Sequence, residues 1–158
     1  MADSILTSDE RRLLAELEAR GVRYLVVGMS AALLQGARGS TEDIDLWFED
    51  VTDPRIADCV RAAGGIWISG AFGMGPPRIG GDALSERFEV VAHMSGLEPF
   101  DVEYRAVRHE LVEGLNVPVL PLARILASKR AAGRSKDLAA AHGIEDALLL
   151  LESGEPRS

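Results

Sequence analysis

A single cysteine, Cys59, is present in 158 residues, which excludes an internal disulfide and suits a reducing compartment. Its neighbours Ile56, Ala57 and Val60 mark it as a buried helix residue and not a nucleophile. No run approaches the roughly 20 apolar residues that cross a bilayer, so no membrane partner is expected. The opening Met-Ala-Asp-Ser lacks the basic region and apolar segment of a secretory signal, and a cytoplasmic location is the expectation. His93, His109 and His142 are scattered and make no zinc spacing. Lysine is confined to Lys129 and Lys136.

Positive charge is also scarce. Seventeen Lys and Arg against 25 Asp and Glu leave a formal net charge of −8, unlike a protein that coats nucleic acid indiscriminately. The cations cluster, however: residues 105–136 hold seven Lys or Arg against two acids. That segment suits a locally held, phosphate-bearing substrate, or equally a solvated helix face. With 47% hydrophobic residues, a chain of this length fills one core and leaves little room for a second. Residues 1–158 are expected to form one domain, with its core at about 23–138 and packing helices at both ends.

Residues 23–49 organise the rest. They read as a strand ending at Gly28, a short apolar helix, a turn at 36–39, and a second strand carrying Asp43 and Asp45. On that strand Asp43, Asp45 and Trp47 point one way and Ile44, Leu46 and Phe48 the other. The Ile44 face is apolar and expected to be buried. Two residues of strand rise separate the aspartates by roughly 6.5 to 7 Å, close enough for both to converge on one divalent cation. Two solvated aspartates on an edge strand are the alternative. Gly28 ahead of a helix lets a phosphate approach the backbone, and Ser30 serves either as a phosphate donor or as a cap.

Elsewhere the chain shows ordinary packing signals. Thr7 with Glu10 is a capping box opening a helix through about Ala19, Asp53-Pro54 starts another, and Ser135 caps the last, which Leu138, Ile144, Leu148, Leu149 and Leu151 are expected to pack. Residues 69–81 hold five of the sixteen glycines and two prolines, so a loop is expected, serving as a lid with Arg78 on phosphate or having no role. Residues 87–93 read as a strand. If it lies beside Asp43 and Asp45, Glu89 completes a three-carboxylate site; otherwise Glu89 is an edge residue facing water, paired with Arg87. Asp101 and Glu103 have a rival spacing but fit a helix start. Residues 109–120 read as a hairpin turning near 114–116, with Pro118 implying an edge.

The run from Gly28 through Thr41-Glu42-Asp43-Ile44-Asp45-Leu46, and a second from Val117-Pro118-Val119-Leu120-Pro121-Leu122 through Lys129 to Leu138, resemble the minimal nucleotidyltransferases of the DNA polymerase beta superfamily. The bacterial group containing the nucleotidyltransferase toxins of abortive-infection and toxin–antitoxin systems is the most similar. The resemblance implies an α/β (α+β) fold, a small mixed twisted sheet of four to six strands backed by helices. It implies transfer of a nucleoside monophosphate from an NTP to a tRNA, protein or small-molecule acceptor, with an antitoxin as a partner if the chain is a toxin. Asp43, Asp45 and Glu89 are then the catalytic residues and ligands of Mg²⁺, with Mn²⁺ as the alternative ion. Gly28, Ser30, Arg38, Thr41 and Lys129 are then the nucleotide contacts. The chain departs from the pattern at Met29, where a second glycine is usual, at Gln35, where histidine is common, at the displaced Arg38 beside Gly39, and at Glu89, where aspartate is usual. A nucleotide-binding or partner subunit that no longer catalyses is the alternative.

Overall fold

The computed structural model describes residues 6–70, 77–82, 84 and 87–153. Helix α1 (Ser8–Ala19) begins at the expected capping box, in which Thr7 Oγ1 accepts from the Glu10 N–H and the Glu10 carboxylate accepts from the Thr7 N–H. Strand β1 (Tyr24–Val27), buried at all four positions, runs directly into α2 (Gly28–Leu34). Strand β2 (Ile44–Phe48) returns antiparallel to β1. Asp53 accepts from the Arg55 N–H and Pro54 fills the first turn of α3 (Pro54–Ala62). Cys59 is buried on this helix, its thiol pushed up to about 11 mainly by desolvation. Strands β3 (Ile66–Ile68) and β4 (Arg78–Gly80) pair with each other, and β5 (Phe88–Val91) lies parallel to β2. Helix α4 (Phe100–Glu103) and a 3₁₀ turn (Tyr104–Ala106) lead to the hairpin β6 (Arg108–Val112) and β7 (Leu115–Val119), then α5 (Leu122–Ala132) and α6 (Ser135–Glu152).

The main sheet has the order β5-β2-β1-β7-β6 and is mixed, with β2–β5 and β1–β7 parallel. This is the expected α/β architecture. Helix α2 packs against β2 and α5, α5 against α6, and α1 against α3. Gln35, 1% exposed, ties two of these units together. Its Nε2 donates to Ala31 O and Leu120 O, and its Oε1 accepts from the Leu122 N–H. A polar side chain this deeply buried is tolerated because its hydrogen bonds are made. Among the described residues no helix is long and apolar enough to cross a membrane.

Several local expectations are corrected. Ile44, on the face expected to be buried, is only half-buried, while Leu46 and Phe48 on that face are buried; Trp47 is buried on the aspartate side, its ring meeting Phe100 edge-on at 5.3 Å, so both faces of β2 are covered beyond Asp45. The glycine-rich stretch contains a strand, β4, where a loop was expected; residues 71–76 of the proposed lid lie outside the described residues. Pro118 is on an interior strand. Its neighbour β1 is registered with β7 only at Val26↔Val119, so the missing donor falls where that ladder is short. The hairpin turns at Glu113 and Gly114, both at positive φ (50° and 86°), as a two-residue loop requires. Arg134, not Ser135, is the N-cap of α6. The buried face of that helix is Asp137, Ala141, Ile144 and Ala147, while Leu138, Leu149 and Leu151 are exposed.

Candidate active site

Register brings the central residues together. Val27 is opposite Asp45 across β1 and β2, and Asp45 is opposite Glu89 across β2 and β5. Glu89 thus lies beside Asp45 on the sheet's edge strand, exposed to solvent, while Arg87 reaches Glu10 and the Glu42 carbonyl. Asp43 is just ahead of β2, where Thr41 Oγ1 accepts from the Asp43 N–H and donates to its carbonyl, both at 3.3 Å. Gly28 adopts φ +65°, and a Cβ there would collide with Asp45 Oδ2. The glycine therefore serves two needs, a left-handed backbone at the strand–helix junction and room for the carboxylate.

These residues line a cavity of about 670 Å³. Gly28, Arg38, Thr41, Asp43, Asp45, Glu89 and Lys129 all face it. Ser30 does not. The residue is 7% exposed, and its hydroxyl donates to Val27 O at 2.9 Å and accepts from the Asp45 N–H at 3.3 Å, which makes it a latch between β1–α2 and β2. Arg78 pairs across from Ile68 in the small sheet, away from this cavity. Met29 covers Gly39: its Cε lies 2.6 Å from where a Gly39 Cβ would be.

The lining is also cationic. Arg38, Lys129, Arg134 and Lys136 border the same cavity, and the Lys129 charge opposes the upward shift of Asp45. Between them sits Asp137, 1% exposed, accepting from Arg134 Nε at 2.6 Å and from Lys129 Nζ at 3.4 Å. The Arg134 hydrogen bond, with help from Lys129, holds the Asp137 carboxyl below the usual carboxylate range. Composition flagged this basic segment, but nothing local marked Asp137 as its anchor. Gly143 was missed too: a Cβ there would lie 2.6 Å from Arg38 O, so its small size lets α6 close on the arginine turn. Asp101 is absent from the cavity, and Glu103 is buried in a pair with Arg124 at 2.7 Å.

Asp45 is pushed up to about 6, first by desolvation and then by the Glu89 and Asp43 charges, with Lys129 opposing. Asp43, Asp45 and Glu89 offer only carboxylate oxygens, the donor chemistry of Mg²⁺ or Mn²⁺. Beyond desolvation, part of the shift of Asp45 is repulsion from Glu89 and Asp43, which a divalent cation relieves, so the donor set fits such an ion. Among the described residues, no three acidic, imidazole or thiolate groups are already drawn in tightly enough to hold one.

No family model and no curated protein matches the chain. Solved structures do. The solution structure of the antibiotic-resistance factor ANT(2'')-Ia matches at a TM-score of 0.60 and 12% identity, covering 92% of this chain and 90% of that one. The lincosamide antibiotic adenylyltransferase LnuA, lincomycin-bound, matches at 0.60 and 10% identity over 92% and 99%. An antigenic nucleotidyltransferase-like protein from Paracoccidioides brasiliensis matches at 0.50 and 19% identity over 92% and 78%. This chain has the nucleotidyltransferase fold. At these identities the likeness is one of fold.

Proposed function

We propose that the protein transfers a nucleoside monophosphate from an NTP to an acceptor, with release of pyrophosphate. The observation that carries this reading is one cavity lined both by Asp43, Asp45 and Glu89 and by Arg38, Lys129 and Arg134. A nucleotide triphosphate needs both: cations for its phosphates, and carboxylates for the Mg²⁺ or Mn²⁺ that accompanies it. Asp43, Asp45 and Glu89 would hold that ion, which would supply neutralisation of the phosphate charge. Lys129 and Arg38 bind the phosphate oxygens, Gly28 leaves the backbone open to them, and Thr41 holds Asp43 in place. The acceptor oxygen bonds to the α-phosphorus, the bond to the bridging oxygen breaks, and the acceptor proton passes to the Glu89 carboxylate. Positioning and charge supply most of the rate.

The acceptor determines the biology. A tRNA or protein acceptor makes the enzyme a candidate toxin, tested by growth arrest on expression and relief by an antitoxin. A small molecule makes it a modifying enzyme, as LnuA is for lincosamide antibiotics. The chemistry itself is tested by incubating purified protein with NTPs, Mg²⁺ or Mn²⁺ and a cell extract. Metal-dependent NTP turnover is expected in the wild type and not in a folded Asp43→Ala/Asp45→Ala variant. Nucleotide binding without turnover supports the non-catalytic subunit, and turnover that survives in the variant refutes the site.

A further inference from the structure

Of the three carboxylates in the candidate site, Asp45 and Glu89 are fixed by sheet register, paired with each other across β2 and β5. Asp43 is not. That ladder begins at Ile44↔Phe88, and Asp43 stops one residue short of it, exposed, in the turn that leads into β2. Thr41 and Asp43 border a small cavity of about 180 Å³, together with Leu33, Ile44 and Val117. Leu46, Trp47 and Phe48, further along the strand, are buried. Polar contacts, more than packing, therefore hold Asp43. Arg87 makes two of them, one on each side. Its carbonyl accepts from the Ile44 N–H at 2.6 Å, and its Nη1 donates to the Glu42 carbonyl at 2.9 Å. Arg87 is steadied in turn by Glu10 of α1. Its Nε is 3.5 Å from Glu10 Oε1, the oxygen that also accepts from the Thr7 N–H at 3.2 Å. Glu10 is 7% exposed, so water screens its charge little and that charge orients the guanidinium.

Building on the metal-dependent nucleotidyl-transfer reading, we propose that Arg87 is a positioning residue for the cation site. Held by Glu10, it sets where Asp43 lies relative to Asp45 and Glu89, so that three carboxylates and not two reach one Mg²⁺ or Mn²⁺. The contacts run from the α1 capping box through Arg87 to the peptide groups on either side of Asp43. Lysine cannot replace the arginine here. It keeps the charge, but its single nitrogen cannot stand in the places of Nε and Nη1 together. Groups that orient metal ligands from behind change metal affinity roughly 10–100-fold when removed. Because Arg87 acts only through Asp43, its effect is expected to vanish once Asp43 no longer offers a carboxylate.

Mn²⁺ alone is the probe, with the free ion followed by EPR as the full chain is titrated. Wild type is compared with Arg87→Lys, Asp43→Asn and the double variant, each verified as folded by its amide NMR spectrum. Arg87→Lys should weaken Mn²⁺ binding about tenfold, much as Asp43→Asn does, and the double variant should bind no more weakly than Asp43→Asn. Glu10→Gln keeps the oxygen that accepts from Thr7 and loses the charge facing Arg87. It should also weaken binding, again without adding to Asp43→Asn, and it carries the same comparison if Arg87→Lys does not fold. Unchanged affinity in Arg87→Lys, or a loss that adds in full to that of Asp43→Asn as a merely structural defect would, overturns the positioning role alone. Failure of the folded wild type to bind Mn²⁺ overturns it together with the metal-dependent reading on which it rests.

Discussion

Replacing Asp45 with asparagine removes a charge that the folded chain holds at a cost. Desolvation and the neighbouring Glu89 and Asp43 carboxylates push Asp45 from 3.8 to about 6. Its contribution to stability is fully present below the unfolded value of 3.8 and is lost as pH rises through about 6, because the unfolded chain ionises first. At 1.36 kcal/mol per pKa unit the whole shift corresponds to about 3 kcal/mol, and relaxation with partial solvent access leaves about 1–2 kcal/mol. Asparagine keeps the volume against Gly28 and offers an N–H to Glu89. Asp45→Asn should therefore be more stable than wild type at pH 8, raising Tm by about 3–6 °C, and inactive. Urea titrations at pH 8 and pH 4 give the assay, with most of the gain absent at pH 4. A variant no more stable than wild type at pH 8, or equally stabilised at both pH values, refutes the account of a site that trades stability for charge.

Gly28→Ala should cost about 2–3 kcal/mol through its positive φ and the Asp45 clash; part of that loss should return when Asp45 is also shortened to alanine, which a double-mutant cycle by thermal melting measures. Gln35→Ala empties a fully hydrogen-bonded buried site and should cost about 2–4 kcal/mol in urea titration; a loss below about 1 kcal/mol contradicts its role as the tie between α2 and α5. Lys129→Ala should weaken MgATP binding about tenfold or more in calorimetry, with Arg134 still holding Asp137; unchanged affinity removes Lys129 from the phosphate wall.

The β1–α2–β2 unit was legible because its signals are local: a buried apolar run, a glycine at the junction, and alternation around Asp43 and Asp45. The capping box at Thr7 and the Asp53-Pro54 start were legible for the same reason. Glu89 needed more, since its place beside Asp45 depends on a parallel pairing between strands separated by α3, β3 and β4. Ser30 stayed ambiguous because one hydroxyl suits a phosphate or a carbonyl equally, and only the packing of β2 against α2 turns it inward. Asp137 was invisible for a similar reason: its partners Lys129 and Arg134 meet it only across the turn between α5 and α6. The apolar run Leu148–Leu151 has no helical period, so it did not reveal that Ala141, Ile144 and Ala147 form the packed face. At β4, glycine and proline outweighed the weak strand signal of Arg78 and Ile79.

The most direct test of the central claim is to follow the two ends of the triphosphate. Wild-type protein is incubated with Mg²⁺, a cell extract and NTP labelled either at the α-phosphate or at the γ-phosphate. Nucleotidyl transfer predicts α-label in the acceptor and γ-label in pyrophosphate, both lost in Asp43→Ala/Asp45→Ala. Gamma-label in the acceptor, or α-label transfer that persists in that variant, contradicts it.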